Sequence, residues 1–365
     1  MATECNKSIG KVRKSYESWF KGTSQIETDN ELFTAVLHSS QRDIRMLETE
    51  TEMGYFLSAG VPWFVTPFGR DTIITCLQIM MLDSHPATAT AHVFTQLQGK
   101  VVDPWRDEEP GKIFHEVRRG ELANIRAIPH TPYFGSADST ALYLILLSDI
   151  VKWTGNLEAA RDMIDPINRS LAWIDEYGDF DGDGFVEYET KSKRGLVNQG
   201  WKDSGNSVVH IDGTLAETPI ALSEVQAYVY YAKRRMAWLF ELLGDRERAD
   251  ELAKQAEMLK RNFNEAFWMP REDYYAMALD RNKKPVKTIT SNPAHGLWAR
   301  IIDEDKAEQV AYRLMQPDMF SGWGIRTMIK SSLNYTPISY HNGSVWPPDH
   351  AIIIPGHKKY GFKRE

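Results

Sequence analysis

The chain has 365 residues, 42% of them hydrophobic, and a formal net charge of -7. That is ample apolar material for a large core, and the negative balance argues against nucleic acid or an anionic membrane as a partner. Cys5 and Cys76 form no disulfide framework, the start has no apolar core for a signal peptide, and no run is long enough to span a bilayer; the chain reads as cytoplasmic. In chain order, residues 1–27 are mixed and read as an N-terminal extension. Thr28 to Glu31 has capping-box spacing, and Leu32, Phe33, Val36, Leu37, Ile44 and Leu47 follow as a helical stripe. Asp71 is placed to cap the apolar run Ile73 to Leu82, and Pro86 to Gln98 reads as the next helix. A long connection over 99–135 carries Trp105, His115, Glu116, Arg118 and Tyr133. Further helices are predicted over 138–154, 157–177, 219–243, 246–267, 292–301, 304–315 and 343–356, with Gly155 and Gly244 as stops. No strand alternation is sustained, and no Rossmann, phosphate-loop or fixed repeat pattern occurs. Connections longer than about 12–15 residues in a compact domain are usually functional, and several here are polar and aromatic. The pattern fits an all-α double ring of helices whose loops gather at one mouth.

The stretch Asn198-Gln199-Gly200-Trp201-Lys202-Asp203-Ser204-Gly205-Asn206-Ser207 is poor helix and poor strand, and its composition suits a pocket wall. Trp201 offers a flat apolar face to the C–H side of a sugar ring, and its N–H can donate. Beside that face a partly desolvated Asp203 would keep the proton a general acid needs; the alternative is a solvated aspartate in a surface loop. The turn Asp179-x-Asp181-x-Asp183-Gly184 imitates the first half of a calcium loop. Position 12, where such a loop needs a bidentate glutamate, is Thr190, so the turn is read without a metal.

Gly60-Val61-Pro62-Trp63-Phe64-Val65-Thr66-Pro67-Phe68-Gly69-Arg70-Asp71 resembles the first barrel loop of amylo-α-1,6-glucosidases, the glucosidase domains of glycogen debranching enzymes. His115-Glu116-Val117-Arg118, the Asn198–Ser207 stretch and Tyr340-His341-Asn342-Gly343-Ser344-Val345-Trp346-Pro347 resemble three further motifs of that family, in the same order. The resemblance implies an (α/α)6 barrel of the six-hairpin glycosidase type over residues 28–365, α-glucan or oligosaccharide substrates, and an inverting mechanism without a cofactor. It makes Asp203 the acid. Arg70, with its fixed fork, and Asp71, as acceptor, would grip hydroxyls of the terminal glucose; the bland alternative is an N-cap aspartate beside a surface arginine. Lys202 and Asn342 belong to the same implied binding set. Glu116 and Arg118 are either sugar ligands or a structural ion pair. Trp63, Trp201, Trp323 and Trp346 are either stacking platforms or core.

One departure from that family bears on the chemistry. Its catalytic base is a glutamate between the last two of twelve helices, whereas this sequence has none between Asp318 and Glu365. The expectation is therefore a barrel lacking its last two helices, with apolar flanks exposed, that binds glucose-type ligands but hydrolyses them poorly. Asp349 is the nearest substitute carboxylate. A non-catalytic glucan-binding module, a phosphorolytic relative, and a trehalase or processing-glucosidase relative are the alternative readings.

Overall fold

The computed structural model describes residues 2–362, with side chains from residue 8 onward; the Cys5 side chain and residues 363–365 lie outside that description. Helix α1 spans Ala2–Gly22, α2 Glu31–Leu47, α3 Gly69–Ile79, α4 His85–Leu97, α5 Glu121–Asn124, α6 Ser139–Thr154 and α7 Leu157–Asp162. Next come α8 Ile164–Glu176, α9 Ser223–Leu243, α10 Arg246–Ala266, α11 His295–Ala299, α12 Glu304–Leu314 and α13 Pro347–Lys359. Helices α3, α6, α9, α11 and α13 pack each on the next, while α4, α8 and α10 back α3, α6 and α9. The sequence assigns these layers. An inner helix is covered all round, and α6 buries every residue from Ser139 to Ser148. An outer helix needs only one apolar stripe, and α10 buries Ala249, Leu252, Ala256, Leu259, Phe263 and Asn264 at helical spacing. This alternation of inner and outer helices is that of an (α/α)6 barrel.

Several boundaries differ from the sequence expectation, each for a local reason. The stretch 157–177 breaks into α7 and α8 at Met163, because Pro166 lacks an N–H and suits the first turn of a new helix. Residues Ala221–Leu222 are not the start of α9; they pair with Ala278–Leu279 in a small antiparallel sheet whose strands are too short to show alternation. The N-cap of α2 is Asn30, whose side chain accepts from the Phe33 backbone N–H at 2.9 Å, rather than a Thr28–Glu31 box. Asp71 lies inside the first turn of α3 instead of capping it, since the helix begins two residues earlier at Gly69. The N-terminal extension is itself largely helix α1, held at the C-terminal end of α2 by Trp19 Nε1 donating to Glu48 at 2.6 Å. Helix α2 packs on α1 and on the hairpin formed by Glu48–Thr51 and Gly54–Leu57. Leu32, Phe33 and Val36 on α2 stay exposed, as does Ile354 on α13. No helix among the described residues is long and apolar enough to cross a membrane.

Candidate active site

Two helix starts are pressed together to make one wall of a cavity. A Cβ on Gly69 would lie 2.1 Å from the Phe114 carbonyl and 2.5 Å from Ser139 Oγ, so only glycine lets the start of α3 approach the start of α6 this closely. The Gly69 N–H completes the contact by donating to His115 O at 2.7 Å. Arg70 and Asp71 follow at once. The Arg70 guanidinium turns toward α6 and donates from Nη1 to Asp138 Oδ2 at 2.7 Å. Asp138 is wholly buried, and its other oxygen accepts from Ser136 Oγ at 2.6 Å. From Nη2 the same guanidinium reaches Asp203 Oδ2 at 3.5 Å.

The loop that carries Asp203 is fixed from below. Asn198 accepts from the Tyr188 hydroxyl at 2.7 Å and donates to Ser204 O at 2.7 Å, closing the loop on itself. The Lys202 side chain is buried and donates to the Thr327 carbonyl, anchoring the loop across the barrel. The alternative of a solvated surface loop is thus set aside. Asp203 keeps only 25% of its side chain accessible, with His115 Nε2 3.9 Å from its Oδ2. Burial pushes its carboxyl up; Arg70 pulls down, Asp71 and Asp138 push up, and the balance stands at about 6. His115 stays neutral, since burial and then Arg70 bring its pKa down to about 4.

Opposite this wall, Trp201 stacks on His295 with ring centroids 6.0 Å apart and meets His341 edge-on at 5.6 Å. His295 is itself clamped between the Tyr228 hydroxyl at Nδ1 and Asp349 Oδ1 at 2.7 Å. Burial pushes the Asp349 carboxyl up, but His295, Ser291 and Lys202 more than offset that and hold it below its ordinary value. His341 Nδ1 faces the Ser204 hydroxyl at 2.8 Å and accepts from the Ser204 backbone N–H at 3.4 Å. Burial, Lys202 and Arg70 bring the His341 pKa down to about 3, so the neutral ring carries its proton on Nε2. His341 therefore offers the cavity an N–H donor.

These groups surround a cavity of ≈ 410 Å³, within the usual range for small-molecule sites. Of the residues singled out by sequence, Arg70, Asp71, Trp201, Asp203 and Trp346 line it. Five others stand outside its lining and need correction. Lys202 is an anchor beneath the loop, as above. Asn342 is buried and spends its amide on the Asn206 carbonyl at 2.9 Å. Glu116 is the structural member of its pair of readings: it accepts from Arg118 at 2.5 Å and lies 2.9 Å from His130. Arg118 in turn holds the Trp63 carbonyl at 3.0 Å, so this pair braces the 60–68 loop. The Trp63 indole is 80% exposed and the Trp323 indole 96% exposed, and neither is core or cavity wall. Asp349, the substitute carboxylate named from sequence, also lines the cavity, as do His115, Tyr340, His341, Tyr228 and His295, to which the sequence assigns no role. His115 and His341 lie in the same short motifs as Glu116 and Asn342, and that adjacency was the signal available. Asp138, by contrast, reads in sequence as an ordinary residue before a helix.

The acidic turn has a simple occupant. Asp179 caps its own turn by accepting from the Gly182 and Gly184 N–H groups at 2.8 and 2.9 Å. Lys283 Nζ stands 3.0 Å from Asp181 and 2.7 Å from Asp183 and also meets Glu187. Thr190 turns away to donate to Asp107 at 3.2 Å. An internal ammonium supplies the positive charge that this spacing invites.

The barrel is shared with solved glycosidases. A GH63 mannosylglycerate hydrolase from Thermus thermophilus, in complex with Tris and D-glycerate, superposes with a TM-score of 0.68 at 14% identity, covering 89% of this chain and 87% of that one. The neutral trehalase of Saccharomyces cerevisiae gives 0.59 at 12% identity, covering 86% of this chain and 67% of that one. A sialidase gives 0.68 at 13% identity over 95% of this chain, which spans only 29% of its length. At such identities the likeness establishes the fold, an (α/α)6 barrel, and the narrower resemblance to amylo-α-1,6-glucosidases rests on its four motifs alone. The family profile described as the mannosylglycerate hydrolase MGH1-like glycoside hydrolase domain matches residues 79–365, which include the Asp203 loop and the 340–349 segment but not Arg70 and Asp71, and the chain belongs to that family of glycoside hydrolases.

Proposed function

We propose that the cavity is the site of an inverting exo-glycosidase in which Asp203 delivers a proton to the glycosidic oxygen of a terminal α-hexosyl residue. The observation that carries the reading is the placement of Asp203, which lines the cavity with only 25% of its side chain accessible and its nearest cation 3.5 Å off; that burial raises its carboxyl to about 6. An acid whose pKa lies near working pH is what protonation of a leaving oxygen requires. Arg70 and Asp71 are placed to grip hydroxyls of the same sugar, one as donor fork and one as acceptor. Trp201 supplies a flat face, and His341 Nε2 a donor that does not titrate near neutrality. Inversion also needs a carboxylate to activate water about 6.5–9.5 Å from the acid, and Asp71 and Asp349 are the cavity's other carboxylates. Asp349 is already tied to His295, which suits it to holding the cavity wall more than to taking a proton.

On the leaving-group side, the four motifs favour an α-glucan, whereas the family favours a small organic acid such as the glycerate named with the Thermus enzyme. A volume of ≈ 410 Å³ suits one hexose with a small aglycone, and we favour a short glycoside over a polymer. Calorimetry of the Asp203→Asn protein with glucosylglycerate, mannosylglycerate, maltose, isomaltose and trehalose tests this. The glycerates should bind most tightly. If no α-hexoside binds, the reading fails; if maltose or isomaltose leads, the glucan substrate takes its place.

A further inference from the structure

The charge around Asp203 is unevenly shared. Arg70 has one close partner, Asp138 at 2.7 Å, and one distant one, Asp203 at 3.5 Å. Asp138 has no other duty among the described groups: it is wholly buried at the start of α6, with Ser136 on one oxygen and Arg70 on the other. Both Asp203 and Asp138 are carboxylates within reach of one fixed fork, so whichever takes the guanidinium ionises more readily at the expense of the other. The groups facing Asp203 are Arg70 and Asp71 from α3, Asp138 from α6, the neutral His115 from the 99–135 connection, and Tyr340 beside His341 from the 340–347 loop. Among them Arg70 is the sole cation.

Resting on the assignment of Asp203 as the acid, we propose that Asp138 is a positioning residue: by binding Arg70 Nη1 it holds the guanidinium back from Asp203, so that the acid keeps its proton. Arg70 stays close enough to bind a sugar hydroxyl yet does not form the bidentate pair that would ionise its neighbour. Removing the charge at Asp138 frees the fork to close on Asp203. The acid then ionises at lower pH and donates less readily.

The test is a direct titration of Asp203 by carboxyl carbon NMR on aspartate-labelled protein, with Asp203→Asn identifying the signal; it needs no turnover. Wild type should titrate near the raised value. Asp138→Asn should lower the midpoint by about one pH unit, the lower end of the effect of a close opposite charge. Ser136→Ala, which loosens Asp138 and keeps its charge, should lower it by less. In an Arg70→Gln background either change should lose most of its effect, whereas simple loosening of the site would persist there. An unchanged midpoint in the folded variants, or an undiminished drop without Arg70, overturns the proposal. Should Asp138→Asn fail to fold, the Ser136→Ala pair with and without Arg70→Gln decides. A wild-type midpoint near an ordinary aspartate value would instead overturn the assignment of the acid itself.

Discussion

Two regions of this chain bring carboxylates up against a single cation, one in the cavity wall and one away from it. At the 179–187 turn, Lys283 stands within 3.0 Å of Asp181 and Asp183 and also meets Glu187, and the turn's own N–H groups satisfy Asp179. The four carboxylates there, including Glu187 whose carboxyl burial pushes up, share one ammonium and the turn's N–H groups, and none of them lines the cavity that Asp203 faces. At the Asp203 wall the cation is a guanidinium pinned by a third group, so the carboxylate nearest the cavity gets the weakest share. The same ingredients thus build a clasp in one place and, on the proposed reading, a proton donor in the other. On that reading the difference is that Asp138 holds the cation away from Asp203.

The sharpest way to break this contrast is to remove the acid. Asp203→Asn should reduce hydrolysis of glycosides with poor leaving groups by about 10²–10⁴-fold, the usual contribution of a positioned proton donor. A glycosyl fluoride, whose leaving group needs little protonation, should be spared. Equal loss on both substrates, measured as kcat/KM, would take Asp203 out of the role.

The contrast also explains what could be read in advance. The helical alternation was legible because an inner helix such as α6 and an outer one such as α10 differ in how many sides are apolar, and that is written in the sequence. Asp203 stands out by the composition of its stretch, and Arg70 and Asp71 by the resemblance of theirs; all three line the cavity. Asp138 was not, since its importance depends on a partner 68 residues away and on one guanidinium having two claimants. Lys202 and Asn342 were misread for a related reason. Both lie inside the right motifs, but whether a polar side chain faces the cavity or the loop beneath it is decided by tertiary contacts with Thr327 and Asn206. The Glu116 and Arg118 pair is ambiguous in sequence, because its contacts with His130 and with the Trp63 backbone carbonyl are tertiary.

A second prediction concerns stability. Asp203 has its folded pKa raised from 3.8 to about 6, so its favourable contribution is complete below the unfolded value and is lost as pH rises through about 6. Above that pH the native state carries a burial cost of roughly 2–3 kcal/mol. Asp203→Asn removes the cost: its thermal midpoint should exceed that of wild type at pH 7.5 and match it near pH 4. A variant less stable at both pH values would mean that the contacts of the Asp203 carboxylate outweigh the cost of its burial.

At the clasp the sign reverses. Lys283→Met leaves Asp181, Asp183 and Glu187 together without their cation, and should destabilise the fold by about 1–3 kcal/mol at pH 7. The loss should shrink as pH falls through the raised pKa of Glu187, whose protonation removes one of the charges that Lys283 faces. Substrate binding should not change, because none of these residues lines the cavity. Denaturant melts at two pH values distinguish this from a role for the turn in shaping the site.

The smallest effect is expected at the rim, where two exposed neighbours differ in that only one lines the cavity. Trp63 is 80% exposed, and the loop that carries it is held through its backbone carbonyl by Arg118 rather than through the indole. Phe64, the next residue, lines the cavity, and the Arg118 guanidinium lies 5.3 Å from its ring. Trp63→Ala should therefore leave stability within about 0.5 kcal/mol of wild type, as for surface changes that touch no special feature. It should also leave the affinity for a single-sugar inhibitor within about twofold, given how little such a change disturbs. Phe64→Ala removes part of the cavity wall and should weaken the same ligand measurably. Calorimetry on the two variants side by side settles which aromatic serves the site. If Trp63 proves the more costly loss, the rim closes over its ligand and the exposed indole belongs to the binding surface.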